Sequence, residues 1–214
     1  PIESDGSKMW NFASFSPDGQ KLITAWYGQL SLRDGNTGKL IRTLPNSMLG
    51  GRATMPEWSP DGESIVFVRV SGRGKLGGDF GVDEIKAGDW FVADGGDIAV
   101  VPYNGGNFGP AVTIVPLAMN AEYHFYPTFS PDSQWILFNS AAYPGCASDS
   151  AAAKTGFNLR LVNCVSYDQT AARLRLVRAR AGQTPIELTR ATHEVNKTTA
   201  WPKFAPFQQG NLVF

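Results

Sequence analysis

The sequence has no excess of either charge and no long apolar run, and each absence excludes a class of protein. Lysine plus arginine and aspartate plus glutamate number 19 each, so the formal net charge is zero. A nucleic-acid-binding domain normally carries a basic excess or patch, and the sequence shows none. The longest apolar runs, such as residues 65–68, are far too short to cross a bilayer. We therefore expect no nucleic-acid partner and no transmembrane segment.

Histidine and cysteine are also scarce, with two of each. The sequence contains no cluster of soft metal ligands, no Gly-x-Ser-x-Gly nucleophile elbow and no phosphate-binding Gly-Lys-Ser/Thr loop. Glycine (23) and proline (14) are frequent, and aromatic residues make up 12% of the chain. Together with weak helical periodicity, this composition predicts an all-β protein with many short strands and turns.

A short motif recurs along the chain, which is typical of repeat architectures. It reads Phe-Ser-Pro-Asp-Gly at 15–19, Trp-Ser-Pro-Asp-Gly at 58–62 and Phe-Ser-Pro-Asp-Ser at 129–133, with a degenerate Phe-Ala-Pro-Phe at 204–207. Proline, aspartate and glycine in this order favour a tight turn between two strands. Ser133 replaces the glycine of the third copy, so we expect a strained turn or another turn type there. A catalytic role for Ser16 or Asp18 is the weaker interpretation, because a catalytic residue need not recur in every repeat.

Each motif lies between two predicted strands, and a second pair of strands follows those two. The pairs are predicted at 30–33 and 40–44, at 97–103 and 111–115, and at 173–178 and 185–189. Four antiparallel strands per repeat are the unit of a β-propeller blade. The predicted blades cover residues 10–45, 54–116 and 124–190, with a partial blade at 198–214.

With its aromatic-Ser-Pro-Asp-Gly turns, the chain resembles the TolB-like β-propeller family. The resemblance implies an all-β propeller segment of about three and a half blades forming an incomplete ring. It says little about function, because propellers of this family include translocation components, peptidase domains and lyases. Since the predicted last blade lacks two strands, we expect either that the polypeptide continues or that other chains complete the ring. The sequence begins at Pro1, with no methionine and none of the features of a signal peptide, so we expect either that a targeting segment has been removed or that the chain is part of a longer protein.

The motifs are unevenly spaced, at 43, 71 and 75 residues. Since a blade needs only about 40–45 residues, the second and third blades each carry roughly 30 extra residues. These insertions, 71–96 and 141–172, both fall between the second and third strands. Strand alternation places both on one face of the propeller, opposite the Ser-Pro-Asp turns. Clustered insertions often mark a working surface; the alternatives are tolerated surface loops or packing against other parts of the molecule.

The first insertion is rich in glycine and acidic residues. Asp79, Asp83 and Asp89 are weak candidates for calcium ligands, since calcium prefers six to eight oxygens, although no EF-hand spacing is present. A solvated acidic loop is the alternative, and no other cofactor is expected. Trp90 and Phe91 either form a binding surface or pack within the loop itself.

The second insertion contains Tyr143, a further binding-face candidate, and both cysteines. Cys146 and Cys164 lie 18 residues apart in a segment with little apolar content. A disulfide between them would contribute roughly 3 kcal/mol in the chain-entropy model and would imply a periplasmic or extracellular protein. Two free thiols and a metal pair are the alternatives.

The two histidines, His124 and His193, both precede the first strand of a predicted blade. On such links they would lie on the face of the insertions, near the mouth of the central channel, or they are partly exposed loop residues. We therefore expect an extracytoplasmic module that binds or assembles other protein chains. The alternative is a lyase or hydrolase with a metal or acid–base site at the channel mouth; whether the chain is an enzyme stays open, with a non-enzymatic role favoured.

Overall fold

The computed structural model describes most of the predicted blades. The described residues are 12–26, 28–70, 75–76, 92–93, 96–117, 122–142, 171–192, 199–204, 208–209 and 212–213. No helix in this part of the chain is long and apolar enough to cross a membrane.

Blade one is a four-stranded antiparallel sheet in sequence order. Its strands are β1 (Phe12–Phe15), β2 (Lys21–Trp26), β3 (Gln29–Asp34) and β4 (Leu40–Thr43). A one-turn helix, α1 (Asn46–Leu49), follows and ends at Gly50, whose φ of 75° closes the turn. The helix leads into the next blade.

Blade two repeats this order with one additional short strand. Its strands are β5 (Arg52–Trp58), β6 (Ser64–Val70), β9 (Asp97–Asn104), β10 (Asn107–Phe108) and β11 (Val112–Val115); between β6 and β9 lie β7 (Lys75–Leu76) and β8 (Val92–Ala93). Strands β7 and β8 pair with each other as a separate hairpin. Strand β9 pairs with both β10 and β11.

Blade three is again a four-stranded antiparallel sheet. Its strands are β12 (Glu122–Phe129), β13 (Trp135–Ala142), β14 (Arg173–Arg178) and β15 (Ile186–Glu187), followed by the one-turn helix α2 (Thr189–Thr192). A last hairpin joins β16 (Gln208–Gln209) to β17 (Leu212–Val213). The three antiparallel sheets do not close into a ring, so the predicted all-β class and incomplete propeller are confirmed.

The core consists of two apolar layers between successive blades. Ile23 and Leu32 of blade one share a cluster with Phe67 of blade two. On the other face of blade two, Val66 shares a cluster with Phe138 of blade three. Strand β6 of blade two therefore buries both of its faces, which explains why it is a continuous apolar run rather than an alternating one.

The recurrent motif forms the same hydrogen-bonded turn in all three blades. In blade one, the Ser16 hydroxyl lies 2.6 Å from the Asp18 carboxylate and accepts the Lys21 N–H at 2.9 Å. Equivalent bonds join the serine and aspartate of the other two motifs. The hydrogen bond from Ser16 lowers the pKa of the Asp18 carboxyl. The recurrent serine and aspartate therefore hold the turn together.

Ser133 occupies the glycine position of the third turn without changing the turn. Its φ of 58° lies in the same left-handed region as Gly19 at 71° and Gly62 at 75°. Such a conformation is unfavourable for a residue with a Cβ. Its hydroxyl accepts the N–H of Asp61 from blade two at 3.2 Å. The serine thus tolerates a strained backbone and gains a hydrogen bond between blades that glycine cannot make.

Candidate binding cleft

Three non-glycine residues at equivalent positions of the repeat have a left-handed backbone conformation. One lies in blade two, one in blade three and one before the degenerate motif. They are Met55 (φ 52°), Tyr126 (φ 52°) and Trp201 (φ 49°), and a proline follows each one. A following proline disfavours the right-handed helical conformation. In β5 and β12 the pairing register also shifts at these residues, as in a β-bulge. Bulges re-aim side chains and are common near binding sites.

The bulged positions bring large side chains from different blades together. The ring of Phe12, which occupies this position in blade one, lies 6.2 Å from that of Tyr126. The Tyr126 ring in turn lies 4.8 Å from that of Trp201, and the Tyr126 N–H lies 3.3 Å from the Met55 sulfur. Tyr126 is buried, whereas Trp201 is 58% exposed. Tyr126 therefore forms the buried part of an aromatic cluster, and Trp201 forms its solvent-exposed part.

A polar row lies two residues further along the same strands, directly before the aromatic residue of each motif. It consists of Ser14, Glu57, Thr128 and Lys203. Glu57 is its centre, because one carboxylate oxygen accepts the Thr128 hydroxyl and the other pairs with the Lys203 ammonium. The Ser14 hydroxyl accepts the N–H of Trp58 at 3.1 Å. The row thus links all four repeats by hydrogen bonds or an ion pair.

The aromatic cluster and three members of the polar row, Ser14, Glu57 and Lys203, line one open cleft of about 400 Å³. The walls also include Pro56, Pro127 and Pro202. The charged side chains that line its described part are Glu57, 22% exposed, and Lys203, 61% exposed. Among the described residues, no group of three or more histidine, cysteine, aspartate or glutamate side chains is placed to hold a metal ion. The cleft therefore offers a stacking surface, one carboxylate held by hydrogen bonding and one solvent-exposed ammonium.

His124 lies within a strand and not on a link between blades, which corrects the prediction made for it. Strand β12 begins at Glu122, and His124 pairs with Ser140 in the ladder to β13. Its side chain is 5% exposed and packs edge-on against Phe138, with ring centroids 5.3 Å apart. It is not among the residues that line the cleft. Both faces of β12 are buried, so the strand includes residues that were predicted to link two blades.

The environment of His124 favours the neutral imidazole. Burial, followed by the nearby cation of Arg175, lowers its pKa to about 4, while a hydrogen bond to the Pro116 carbonyl and the charge of Asp97 oppose the shift. Its Nδ1 atom has no hydrogen-bond partner in the part of the chain that the structure describes. These properties are those of a buried structural histidine.

The other predicted site residues lie outside the described residues. They are Asp79, Asp83, Asp89, Trp90, Phe91, Tyr143, His193 and the pair Cys146 and Cys164. The structure therefore does not bear on the calcium site, the disulfide or the binding face assigned to them.

A buried ion pair lies where the first insertion returns to the blade. Arg69, near the end of β6, contacts the carboxylate of Asp97 at 2.5 Å. The same guanidinium donates to Thr113 at 2.6 Å, and the Leu117 N–H donates to Asp97 at 2.7 Å. The side chains of Arg69 and Asp97 are 15% and 7% exposed, respectively. Asp97, one of the acidic residues around the first insertion, is thus engaged within the blade.

The sequence interpretation missed the cleft, although one signal for it was present. A proline recurs two residues before the aromatic of three motifs, as Pro56, Pro127 and Pro202. A proline at a fixed place in a strand indicates an edge or a bulge. The residues flanking this proline, rather than His124, are the ones that the fold brings together at the cleft.

No family model matches the chain, and no curated protein matches it. Among solved structures, it is similar to a protein described as TolB from Agrobacterium tumefaciens, with 18% identity and a TM-score of 0.46, over 84% of this chain and 48% of that one. It is also similar to a eukaryotic initiation factor, with 14% identity and a TM-score of 0.47, over 87% and 34% of the two chains. For the β-propeller domain of Cps50 (Swd1) from Myceliophteria thermophila the identity is 12% and the TM-score 0.34, over 84% and 54%. The chain thus spans about a third to a half of the length of these structures, and the fold assignment rests on its own strand order.

Proposed function

We propose that this chain is part of a TolB-like β-propeller that acts as a protein-binding or assembly module outside the cytoplasm. The observation that carries the proposal is the cleft, in which an exposed tryptophan, Trp201, lies over the buried ring of Tyr126. Exposed tryptophan and tyrosine side chains in a concave site are typical anchors of protein interfaces. The aromatic-Ser-Pro-Asp-Gly turns support the family, because they recur in register in three blades.

The two insertions support a binding role independently of the cleft. Both depart after the second strand of a blade, at Val70 and Ala142, and return at the third, at Asp97 and Arg173. Two long excursions from corresponding places of neighbouring blades build up one face. We propose that a partner contacts residues 71–96 and 141–172 together with the cleft, and that the Ser-Pro-Asp turns face away. We propose the extracytoplasmic location because we expect a disulfide between Cys146 and Cys164, which an oxidising environment would maintain.

Site-specific photocrosslinking in the source organism tests this proposal. A benzophenone amino acid is introduced singly at Trp90, Tyr143, Trp201 or Gln20, the last being an exposed control within the first turn. We expect the same partner, identified by mass spectrometry, from the first three positions, and no adduct at Gln20. The partner's identity is then checked by placing the crosslinker on the partner. Adducts confined to Gln20, or none at any position, would refute the proposal.

The disulfide is tested separately. Alkylation of the purified native protein, followed by intact-mass measurement with and without reductant, should show no reactive thiol before reduction and two after it. Two alkylated cysteines in the unreduced native protein would remove the argument for an extracytoplasmic location while leaving the binding role intact.

A further inference from the structure

The charged group of the cleft that is held in place is a carboxylate, so the fixed charge there is negative. The Glu57 carboxylate is held by the hydroxyl of Thr128 and is 22% exposed, whereas the ammonium that neutralises it belongs to Lys203, which is 61% exposed. A lysine ammonium at the end of a long, solvated side chain leaves a surface ion pair at little cost, since such pairs contribute roughly 0–1 kcal/mol. Lys203 is therefore a replaceable partner of a carboxylate that stays in place.

The walls of the cleft are suited to a cation rather than an anion. The rings of Phe12, Tyr126 and Trp201 lie side by side, and aromatic faces attract ammonium groups through their quadrupoles. Anions are usually held by backbone N–H groups, but proline has none. Three of the lining residues, Pro56, Pro127 and Pro202, thus present no N–H donor. A carboxylate beside aromatic faces, with few backbone donors around it, selects an alkylammonium group.

We propose that this cleft binds an alkylammonium group of a partner protein, from a lysine side chain or a free N-terminus, and that Lys203 takes its place when the cleft is vacant. The inference rests on the proposed protein-binding function and specifies the chemistry of its recognition. In the bound state the ligand's ammonium pairs with Glu57 and its alkyl chain packs on Trp201. The ammonium of Lys203 then leaves Glu57 and moves into solvent.

Titrations with small probes test this directly. The side-chain N–H signal of Trp201 in a ¹H–¹⁵N spectrum is identified by its loss in Trp201→Phe and then followed during each titration. The probes are Nα-acetyl-lysine amide, norleucine amide with its free amine, and the neutral Nα-acetyl-norleucine amide. We expect the signal to shift with one or both amines but not with the neutral probe. A response to the first alone identifies a lysine side chain as the source, and a response to the second alone identifies an N-terminus.

Variants of the ion pair give the decisive comparison. Lys203→Ala should tighten binding of the amine probe roughly two- to fivefold, because it removes the internal competitor. Glu57→Gln keeps an acceptor for Thr128 but should weaken binding roughly tenfold or more. Glu63→Gln, which removes an exposed carboxylate of the neighbouring turn, is the matched control and should leave affinity unchanged.

Two results would overturn the inference. One is an equal shift with the neutral probe, which would show apolar recognition only; the other is unchanged or weaker amine binding in Lys203→Ala. That variant alters an exposed side chain, so it decides the question even if Glu57→Gln fails to fold. These probes need no natural partner. If they do not bind as expected while the expected crosslinks are observed, the result refutes the amine recognition but not the protein-binding function.

Discussion

Lowering the pH from about 7 to about 4.5 should destabilise the fold through the imidazole of His124. The side chain is buried against Phe138, and burial together with the cation of Arg175 lowers its pKa from 6.5 to about 4 in the folded state. The unfolded chain therefore takes up the proton more readily than the folded chain. Stability is fully present above pH 6.5 and is lost as the pH falls from there towards the folded pKa.

The magnitude follows from the size of the shift. Each unit of difference between the folded and unfolded pKa corresponds to about 1.4 kcal/mol of unfolding free energy, so a shift from 6.5 to about 4 corresponds to about 3 kcal/mol at low pH. The lowered pKa values of the turn carboxyls Asp18, Asp61 and Asp132 act in the same direction, but only as the pH falls below their usual value of 3.8. Between pH 6.5 and about 4.5 these three carboxyls stay largely ionised in both states and contribute little to the change, so a comparison with a His124 variant separates the contribution of that histidine.

Urea unfolding of the unaltered chain and of His124→Gln, at several pH values across that window, measures the effect. Glutamine has similar length and no charge, so the variant should be less stable at neutral pH yet show a nearly flat profile. The unaltered chain should lose about 2–3 kcal/mol over the same range. Equal pH dependence of the two proteins between pH 6.5 and about 4.5 would refute the assignment of the effect to His124.

Further predictions concern stability and are all measured by urea unfolding. Arg69→Met should cost about 3 kcal/mol, because it leaves the buried carboxylate of Asp97 without its cation; a loss below about 1 kcal/mol would contradict this. Both Ser133→Ala and Ser133→Gly lose the hydrogen bond to blade two, but alanine keeps the left-handed strain, so it should be less stable than glycine by about 1 kcal/mol. Equal stability would show that the turn is unstrained. Gly35→Ala should cost about 1–3 kcal/mol, since its Cβ would lie 2.0 Å from the carbonyl oxygen of Gly19; a neutral effect would show that the two turns separate easily.

The blades could be predicted from the sequence because their signals are local. The Ser-Pro-Asp turns place each hairpin, and the strand predicted at 173–178 is observed as β14, Arg173–Arg178. Strand ends were less accurate where both faces of a sheet are buried. In β12, every residue from Tyr123 to Phe129 is buried, so no alternation of polar and apolar residues marked its start, and His124 was placed on a link.

The cleft could not be predicted in the same way because its contacts join distant parts of the chain. Glu57 meets Lys203 across 146 residues, and Phe12 meets Tyr126 across a whole intervening blade. No pattern along one strand contains such a pairing. It arises only when successive blades pack face to face, which brings the first strands of neighbouring blades into contact.

The repeats themselves separate the scaffold from the site. Within one inner strand and its turn, the Ser-Pro-Asp positions carry the same side chains and the same hydrogen bonds in three blades. The positions four and two residues before the motif's serine, or before the alanine that replaces it in the degenerate copy, carry a different side chain in every copy. They hold Phe12, Met55, Tyr126 and Trp201 in one row and Ser14, Glu57, Thr128 and Lys203 in the other. Turn chemistry that repeats serves folding, because every blade must solve the same structural problem. Side chains that differ between blades yet converge on one cleft are suited to recognition, since a ligand in the cleft would contact residues of each repeat.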